Sequence, residues 1–583
     1  MPTHEVTNQP PPLTGYDAAR DPALRAALAA FRPAGSAGAS GTRSAGGAPG
    51  VGDTTGTGDI AGTDATGTGG AGNTAAADAR LAEIGRLAGG EHAQEQGRLA
   101  NENPPRLRTH DRYGHRIDEV EFHPAWHDLM ATAIGHGLHA APWRDPEPGA
   151  HLERAARFYV WGQAEAGHLC PVSMTYAIVP ALRHAPDLAR QYEPLLAAST
   201  YDPGRLPPAA KKGLTAGMSM TEKQGGSDVR ANTTTATKTA DGSYRITGHK
   251  WFTSAPMGDL FMVLAQTPAG LSCFLLPKIL PDARPNTMHL QRLKDKLGNR
   301  SNASAEVEYE NATAWLVGEE GRGVRTIIDM VNATRLDCVL ASATQMRLGV
   351  LHAAHHASYR EAFGRRLRDQ PLMAAVLADL AVESEAATLV AMRLAAAADR
   401  GAAGDPGEQA FRRLALAAVK YHVCKLVPAH AAEALECLGG NGYVEESGLP
   451  RLYREAPLQS IWEGSGNVAA LDALRALTRQ PEAGEAFFAE LDQARGADRR
   501  LDDAIERLRK DAAEPSEHTA RRLAESLAVT LQAALLVRYG HPAVADAFTA
   551  TRLAGEGGRA YGTLPPGTRT GDILPRATPV TED

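Results

Sequence analysis

The feature that most limits what this chain can fold into is one block of β texture, residues 214–317, set between two long helical stretches. Residues 232–238 are rich in β-branched threonine, Asp241-Gly242 reads as a hairpin turn, and Tyr244-Arg245-Ile246-Thr247 resumes the strand. Two apolar runs, Leu260 to Ala265 and Leu271 to Leu276, flank the turn Thr267-Pro268-Ala269-Gly270. From Leu81 to Ala210, and again from Gly323, apolar residues recur at helical spacing. A chain of 583 residues is too long for one core, so the pattern predicts a mainly α, α+β protein with a β domain inserted between helical ones.

The boundaries follow from breaks in composition. Residues 1–32 form an N-terminal extension with a short helical pattern at Leu24, Leu28 and Phe31. In residues 33–78, 14 of 46 are Gly and the only large apolar residues are Val51 and Ile60, too little burial to offset ordering entropy. A disordered linker is expected there. The first helical domain then runs 79–212, the β domain 213–318 and a second helical domain 319–479. Leu501, Ile505, Leu508, Leu523, Leu527, Leu531 and Leu535 repeat at helical spacing and define an added helical domain, 480–562, before a tail, 563–583. Within the second helical domain, Gly439 is a helix-stop signal, and Pro428 is expected to kink or divide the helix before it.

Net charge −7 and a pI near 6.3 give no global attraction to nucleic acid or anionic lipid. Five scattered cysteines without a Cys-x-x-Cys pair argue against a disulfide framework or structural zinc and suit a reducing cytoplasm. No apolar run reaches the roughly 18 residues of a membrane span, so no membrane partner is expected. His352 and His356 have i, i+4 metal-ligand spacing, but no acid lies between them as in His-Glu-x-x-His, and no metal site is expected. Met174, Tyr176 and Ile178 either line a pocket or belong to the core.

Three stretches carry chemistry. Met218-Ser219-Met220-Thr221-Glu222-Lys223-Gln224-Gly225-Gly226-Ser227-Asp228 comes first, then Gly248-His249-Lys250-Trp251-Phe252-Thr253-Ser254, then Ile461-Trp462-Glu463-Gly464-Ser465-Gly466-Asn467. In the last, glycines permit close backbone approach to a planar ligand. A carboxylate held against Ile461 and Trp462 is poorly solvated, which raises its pKa toward the range of a general base. The alternative for Glu463 is an exposed loop carboxylate, and for Thr221 and Ser227 ordinary turn chemistry.

Taken together and in this order, the three stretches resemble the acyl-CoA dehydrogenase flavoproteins. Their wording is similar to one branch, the AidB-like branch associated with the bacterial response to alkylation damage. The resemblance runs from about Thr7 to about Tyr561. It implies a helical–β-barrel–helical fold with FAD bound by Met218, Met220, Thr221, Ser227, Phe252, Thr253, Ser254, Ile461, Trp462, Gly464, Ser465, Gly466 and Asn467. Glu463 would take the α-proton of an acyl-CoA while the β-hydride goes to flavin N5. The other family position for the base falls at Thr334, which cannot serve. Arg335 either orients the substrate site or forms a helix-surface ion pair. Arg360 and Phe363 would reach a neighbour's flavin in a homotetramer, although Pro371 stands where the family's accompanying Gln aligns, with Gln370 one residue early.

The resemblance also implies a second function: a flavin-bearing protein that binds double-stranded DNA through the added domain and keeps only residual dehydrogenase activity. Residues 483–560 hold 11 Lys/Arg against 13 Asp/Glu. Arg499 and Arg500 belong to the densest basic cluster, with Arg499/Asp503 and Glu506/Lys510 expected to pair at i, i+4. Only weak, sequence-independent duplex binding is expected from such a balance.

Overall fold

The computed structural model describes residues 4–33 and 69–580. Strands β1 (Arg106–His110) and β2 (Arg116–Glu121) form a small hairpin. The β block supplies β3 (Ala216–Ser219), β4 (Thr235–Lys238), β5 (Tyr244–Ser254), β6 (Leu260–Thr267), β7 (Gly270–Pro277), β8 (Met288–Leu293) and β9 (Ser304–Val317). β6, β4, β5, β9 and β7 pair in that order and β7 pairs back onto β6, so five strands close a barrel. Asp241-Gly242 makes the β4–β5 turn, with Gly242 at φ 84°. The 267–270 turn joins β6 to β7, as its composition predicts.

Alternation places Phe261, Val263 and Ala265 of β6 inside the barrel and sends Met262 and Leu264 outward. Those outward residues meet the helices Leu169–Leu182 and Gly323–Tyr359 in a second core, which is why β6 reads as a continuous apolar run. Met174 and Ile178 are buried there. Tyr176, buried too, borders a cavity, so the stripe divides between packing and lining.

Four helices build the C-terminal bundle: Gly323–Tyr359, Pro371–Ala402, Pro406–Glu436 and Gly466–Arg479. Pro428 lies inside an undivided helix, which corrects the expected division, and Gly439 adopts φ 60° just beyond its end. Helices Pro481–Asp492, Arg499–Ala513 and Ala520–Tyr539 follow; Phe487, Leu501, Leu527 and Leu535 join the bundle's own core. The added segment therefore shares that core instead of building one of its own.

Three other segments bear on the expected boundaries. Residues 34–68 of the expected linker lie outside the described residues, and its last part is helical, because a helix runs Gly69–Gly89 and buries Ala77, Leu81 and Ile84. The N-terminal extension forms a helix, Pro22–Phe31, with Leu24, Leu28 and Phe31 of its helical pattern buried. The tail carries a helix, Thr570–Ala577, anchored by buried Ile573 and by the Arg576–Glu385 ion pair at 2.8 Å. Local composition does not reveal the order of the linker's end or of the tail, because each offsets its ordering entropy with burial against the rest of the fold.

Candidate active site

The loop 461–465 lies between a short helical turn, Ala456–Ser460, and the helix Gly466–Arg479. Glu463 sits at φ 57°, a left-handed conformation that costs a non-glycine residue of order 1–3 kcal/mol unless its surroundings impose it. They do. Lys420, fully buried, donates to the carbonyl of Trp462 at 2.9 Å and to that of Gly464. Arg335 Nε donates to the carbonyl of Glu463 at 2.9 Å. Gly464 follows at φ 103°, and a Cβ there would press on Val468 and on the Arg335 guanidinium at 3.1 and 3.3 Å.

Arg335 is no surface ion pair. It is buried, and its Nη1 meets Asp472 at 2.6 Å, while the second Asp472 oxygen accepts from Arg413 at 2.9 Å. The loop backbone is thus clamped from two helices of the bundle. Thr334, unable to act as a base, donates its hydroxyl to Glu463 Oε2 at 2.7 Å. Burial pushes the Glu463 carboxyl above its ordinary range; the Thr334 hydrogen bond and the Lys420 and Arg335 charges oppose that rise. Of the two apolar neighbours, Trp462 packs inward, whereas Ile461 leaves 61% of its surface exposed. Ser465 and Asn467 are exposed at the start of the following helix.

The first stretch runs along β3 and past its end. Met218 pairs with Met262 across the sheet, and Met218, Met220 and Trp462 pack against the same core as Cys170 and Met174. Glu222 organises the turn. It is fully buried, bonds Lys250 at 2.8 Å, and accepts from the backbone of Thr233 and Thr234 at 2.7 and 3.1 Å. Burial works to raise its carboxyl, but the bonds to Lys250 and the Thr233 backbone prevail and hold it well below the usual range. Burial lowers Lys250 to about 8, with Glu222 pulling it back up. Neither residue stands out as a functional candidate from sequence, although both lie inside the motif stretches. Ser227 is exposed, and Thr221 half-buried.

Along β5 the alternation separates neighbours. Phe252 keeps 48% of its surface exposed, with the Lys294 ammonium 4.8 Å from its ring centre. The Thr253 side chain is fully buried and hydrogen-bonds Ser219, so only its backbone could face a ligand; adjacent strand residues face opposite ways. Ser254 returns to the open face, 3.5 Å from Ser304 Oγ. Burial pushes the Cys170 thiol up to about 11; the Lys296 charge and the Ser254 hydrogen bond oppose this, and the Glu463 charge adds to it. Trp462 from the bundle and Met218 and Met220 from the barrel side pack on the core that holds Cys170. Lys296 closes this side, donating to Asn302 O at 2.5 Å and to Ser304 Oγ at 3.1 Å, and burial lowers it to about 8.

Arg360 and Phe363 are elsewhere. Thr334 and Arg360 are 26 positions apart, and at 1.5 Å per helical residue that is about 39 Å along one helix. Arg360 donates to Asn8 O at 2.9 Å, and Phe363 is 99% exposed at φ 52°. Gln370 is turned to the backbone of Ala362 at 3.0 Å. In the added segment, Arg499 is exposed, but Arg500 bridges Asp498 and Asp546 at 2.6 and 2.8 Å. The expected i, i+4 pairs Arg499/Asp503 and Glu506/Lys510 give way to contacts between elements, such as Arg509–Asp492 at 2.7 Å. Among the described residues no group of three His, Cys, Asp or Glu could hold a metal, and no helix is long and apolar enough to cross a membrane.

Three family models cover most of the chain: the adaptive response protein AidB N-terminal domain at residues 63–203, and the acyl-CoA dehydrogenase middle and C-terminal domains at 217–312 and 321–478. The chain belongs to the acyl-CoA dehydrogenase family, in its AidB-like branch. AidB of Escherichia coli (strain K12) is 46% identical over 82% of this chain and 88% of its own length. The Caenorhabditis elegans structure of ACDH-11 in complex with C11-CoA superposes with TM-score 0.81 at 25% identity, covering 95% of this chain and 94% of that one. An acyl-CoA dehydrogenase complexed with FAD from Bacillus anthracis shares the fold at TM-score 0.60 and 19% identity, over 74% and 78% of the two chains.

Proposed function

We propose that this chain is an FAD-dependent acyl-thioester dehydrogenase in which Glu463 is the general base. The observation that carries the reading is the clamped loop: Lys420 and Arg335 hold the backbone around Glu463, whose carboxylate accepts from Thr334, beside the Met218, Met220 and Trp462 wall. The cofactor is FAD. The half-exposed Phe252 ring and the Ser254 hydroxyl fit a planar ring system, and Met220, Thr221, Ser227, Ser465 and Asn467 would hold the rest of the molecule. Bound FAD supplies the acceptor for the hydride leaving Cβ. The protein's part is the proton. Burial keeps the Glu463 carboxylate basic enough to take a proton from Cα, the Thr334 hydroxyl steadies the charged form, and Lys420 and Arg335 fix the backbone from which it projects.

The decisive experiment compares parent and Glu463→Gln, both FAD-loaded, on a panel of acyl-CoA thioesters. Turnover is expected to fall about 10²–10⁴-fold with the flavin spectrum unchanged. A variant as fast as the parent, or a parent that stays colourless after incubation with FAD, overturns the reading. Assembly as a homotetramer is part of the same proposal. It is supported by Phe363, Leu372 and Tyr443, which leave 99%, 84% and 83% of their surfaces exposed and so offer apolar contact to another copy.

Duplex DNA binding is the second reading. In its favour, the outer face of helix Arg499–Ala513 presents Arg499, Arg507 and Lys510 against Asp503, Glu506 and Asp511, the last of which pairs with Arg522 at 3.3 Å. Cations and acids balance on this face and only the pairing of Asp511 frees a cation, so binding would be weak, non-specific and lost at modest salt.

A further inference from the structure

A cavity of about 440 Å³ lies beside Arg335, among helices Leu169–Leu182, Gly323–Tyr359, Pro371–Ala402 and Pro406–Glu436. Its charged lining is four arginines (Arg183, Arg335, Arg412, Arg413) and two aspartates (Asp329, Asp472), a formal excess of two positive charges. Both acids are already engaged. Asp472 is divided between Arg335 and Arg413, and Asp329 faces His184 at 2.8 Å. Arg183 has Glu193 outside the cavity. That leaves Arg412, half-buried, with no hydrogen-bond or ion-pair partner among the described residues. Trp143, stacked on Tyr176 with ring centres 5.2 Å apart, makes an aromatic wall of the same cavity. The Asp329 charge acts on Arg412 across the cavity, but no acceptor among the described residues contacts its guanidinium directly; a guanidinium partly withdrawn from water with its donors unmatched is unfavourable, and its planar fork fits carboxylate and phosphate alike.

We propose that Arg412 seats an anionic group of the ligand, a carboxylate or a phosphate. The dehydrogenase reading enters only in making this ligand the thioester whose reacting carbon meets Glu463. Because Arg335 both lines the cavity and holds the Glu463 carbonyl, an anion seated here is one side chain removed from the base. Two sources share the chemistry: the phosphates of a CoA carrier, or a carboxylate at the far end of a dicarboxylic acyl chain.

The test is calorimetric titration of the FAD-loaded protein with CoA, with pantetheine, which has the same amide arm without phosphates, and with glutarate. At least one of the two anions is expected to bind, more weakly as salt rises. Arg412→Gln should weaken that binding tenfold or more and leave pantetheine unaffected, while Arg412→Lys retains most of it. Loss confined to CoA identifies a phosphate; loss confined to glutarate identifies a chain-terminal carboxylate. Ala402→Glu, at an exposed position on the rim, places a competing carboxylate at the cavity and should block the anion without disturbing the core. Glu463→Gln should leave anion affinity intact, so failure of the dehydrogenase reading and failure of the seat are separately visible. A parent that binds neither anion, or variants Arg412→Gln and Ala402→Glu that bind as the parent does, overturns the proposal.

Discussion

The loop 461–467 and the helix Arg499–Ala513 are both bordered by charged groups, but they use charge in opposite ways. Around the loop, Lys420 and Arg335 come from two different helices and converge on one short backbone segment, with Asp472 of a third helix holding Arg335 in place. Along the helix, arginines are dispersed into partners of their own, Arg500 to Asp498 and Asp546, Arg509 to Asp492. Convergence fixes the backbone from which the Glu463 carboxylate projects. Dispersal ties helices together and leaves little charge for a partner.

The sharpest break of this comparison is Lys420→Met. The loop would lose the charged donor that satisfies two of its carbonyls, each such bond worth about 1.5–3 kcal/mol. Misplacing a catalytic group by about 1 Å costs about 10²-fold, so kcat should fall at least that far, with a lowered Tm. Retention of full kcat would show that the loop holds its own shape.

Thr334→Val tests convergence through pH. Burial raises the Glu463 pKa and the Thr334 hydrogen bond opposes it, so removing that bond raises the pKa further. A base must be deprotonated, so the acidic limb of kcat/KM should move to higher pH, with a smaller loss at the plateau than Lys420→Met causes. The stability sign is separate. A carboxyl whose folded pKa lies above its unfolded one favours the fold below the unfolded pKa, and that stability is lost as pH rises through the folded pKa. The variant should carry this loss to higher pH. An unmoved acidic limb would mean that Thr334 keeps its proton for the Val331 carbonyl, 3.0 Å away.

On the dispersed side, Arg500→Ala removes only partly exposed pairs. It should cost about 0.2–1 kcal/mol of stability, read from denaturant unfolding, and leave turnover unchanged. A large loss of activity there would erase the distinction between the regions.

What is legible in the sequence follows the same division. The helical–β–helical order and the barrel hairpins come from local periodicity, and the Glu463 loop is visible because its residues are contiguous. Thr334 and Lys420 are invisible as its partners because they lie 129 and 43 positions away and enter only through bundle packing. Thr253 looks like a ligand contact in a motif read as a string, and strand alternation turns it inward. The docked tail and the helical end of the linker escape composition because their burial is supplied by other segments.

The smallest expected effect also lies on the dispersed side. Backbone binding to a duplex depends on cations free to replace counterions, and the affinity's salt slope counts them. On helix Arg499–Ala513 the exposed cations are Arg499, Arg507 and Lys510, offset by Asp503, Glu506 and Asp511, whereas Arg500 is committed to two aspartates. The combined variant Arg499→Ala/Arg507→Ala should therefore weaken an already weak duplex affinity and flatten its salt dependence. Arg500→Ala should do less, because its charge is already compensated and cannot replace a counterion. A mobility-shift series at increasing salt measures both. If Arg500→Ala proves the more damaging, or if binding persists at high salt, the charges of this segment are not dispersed in solution and the contrast with the Glu463 loop fails.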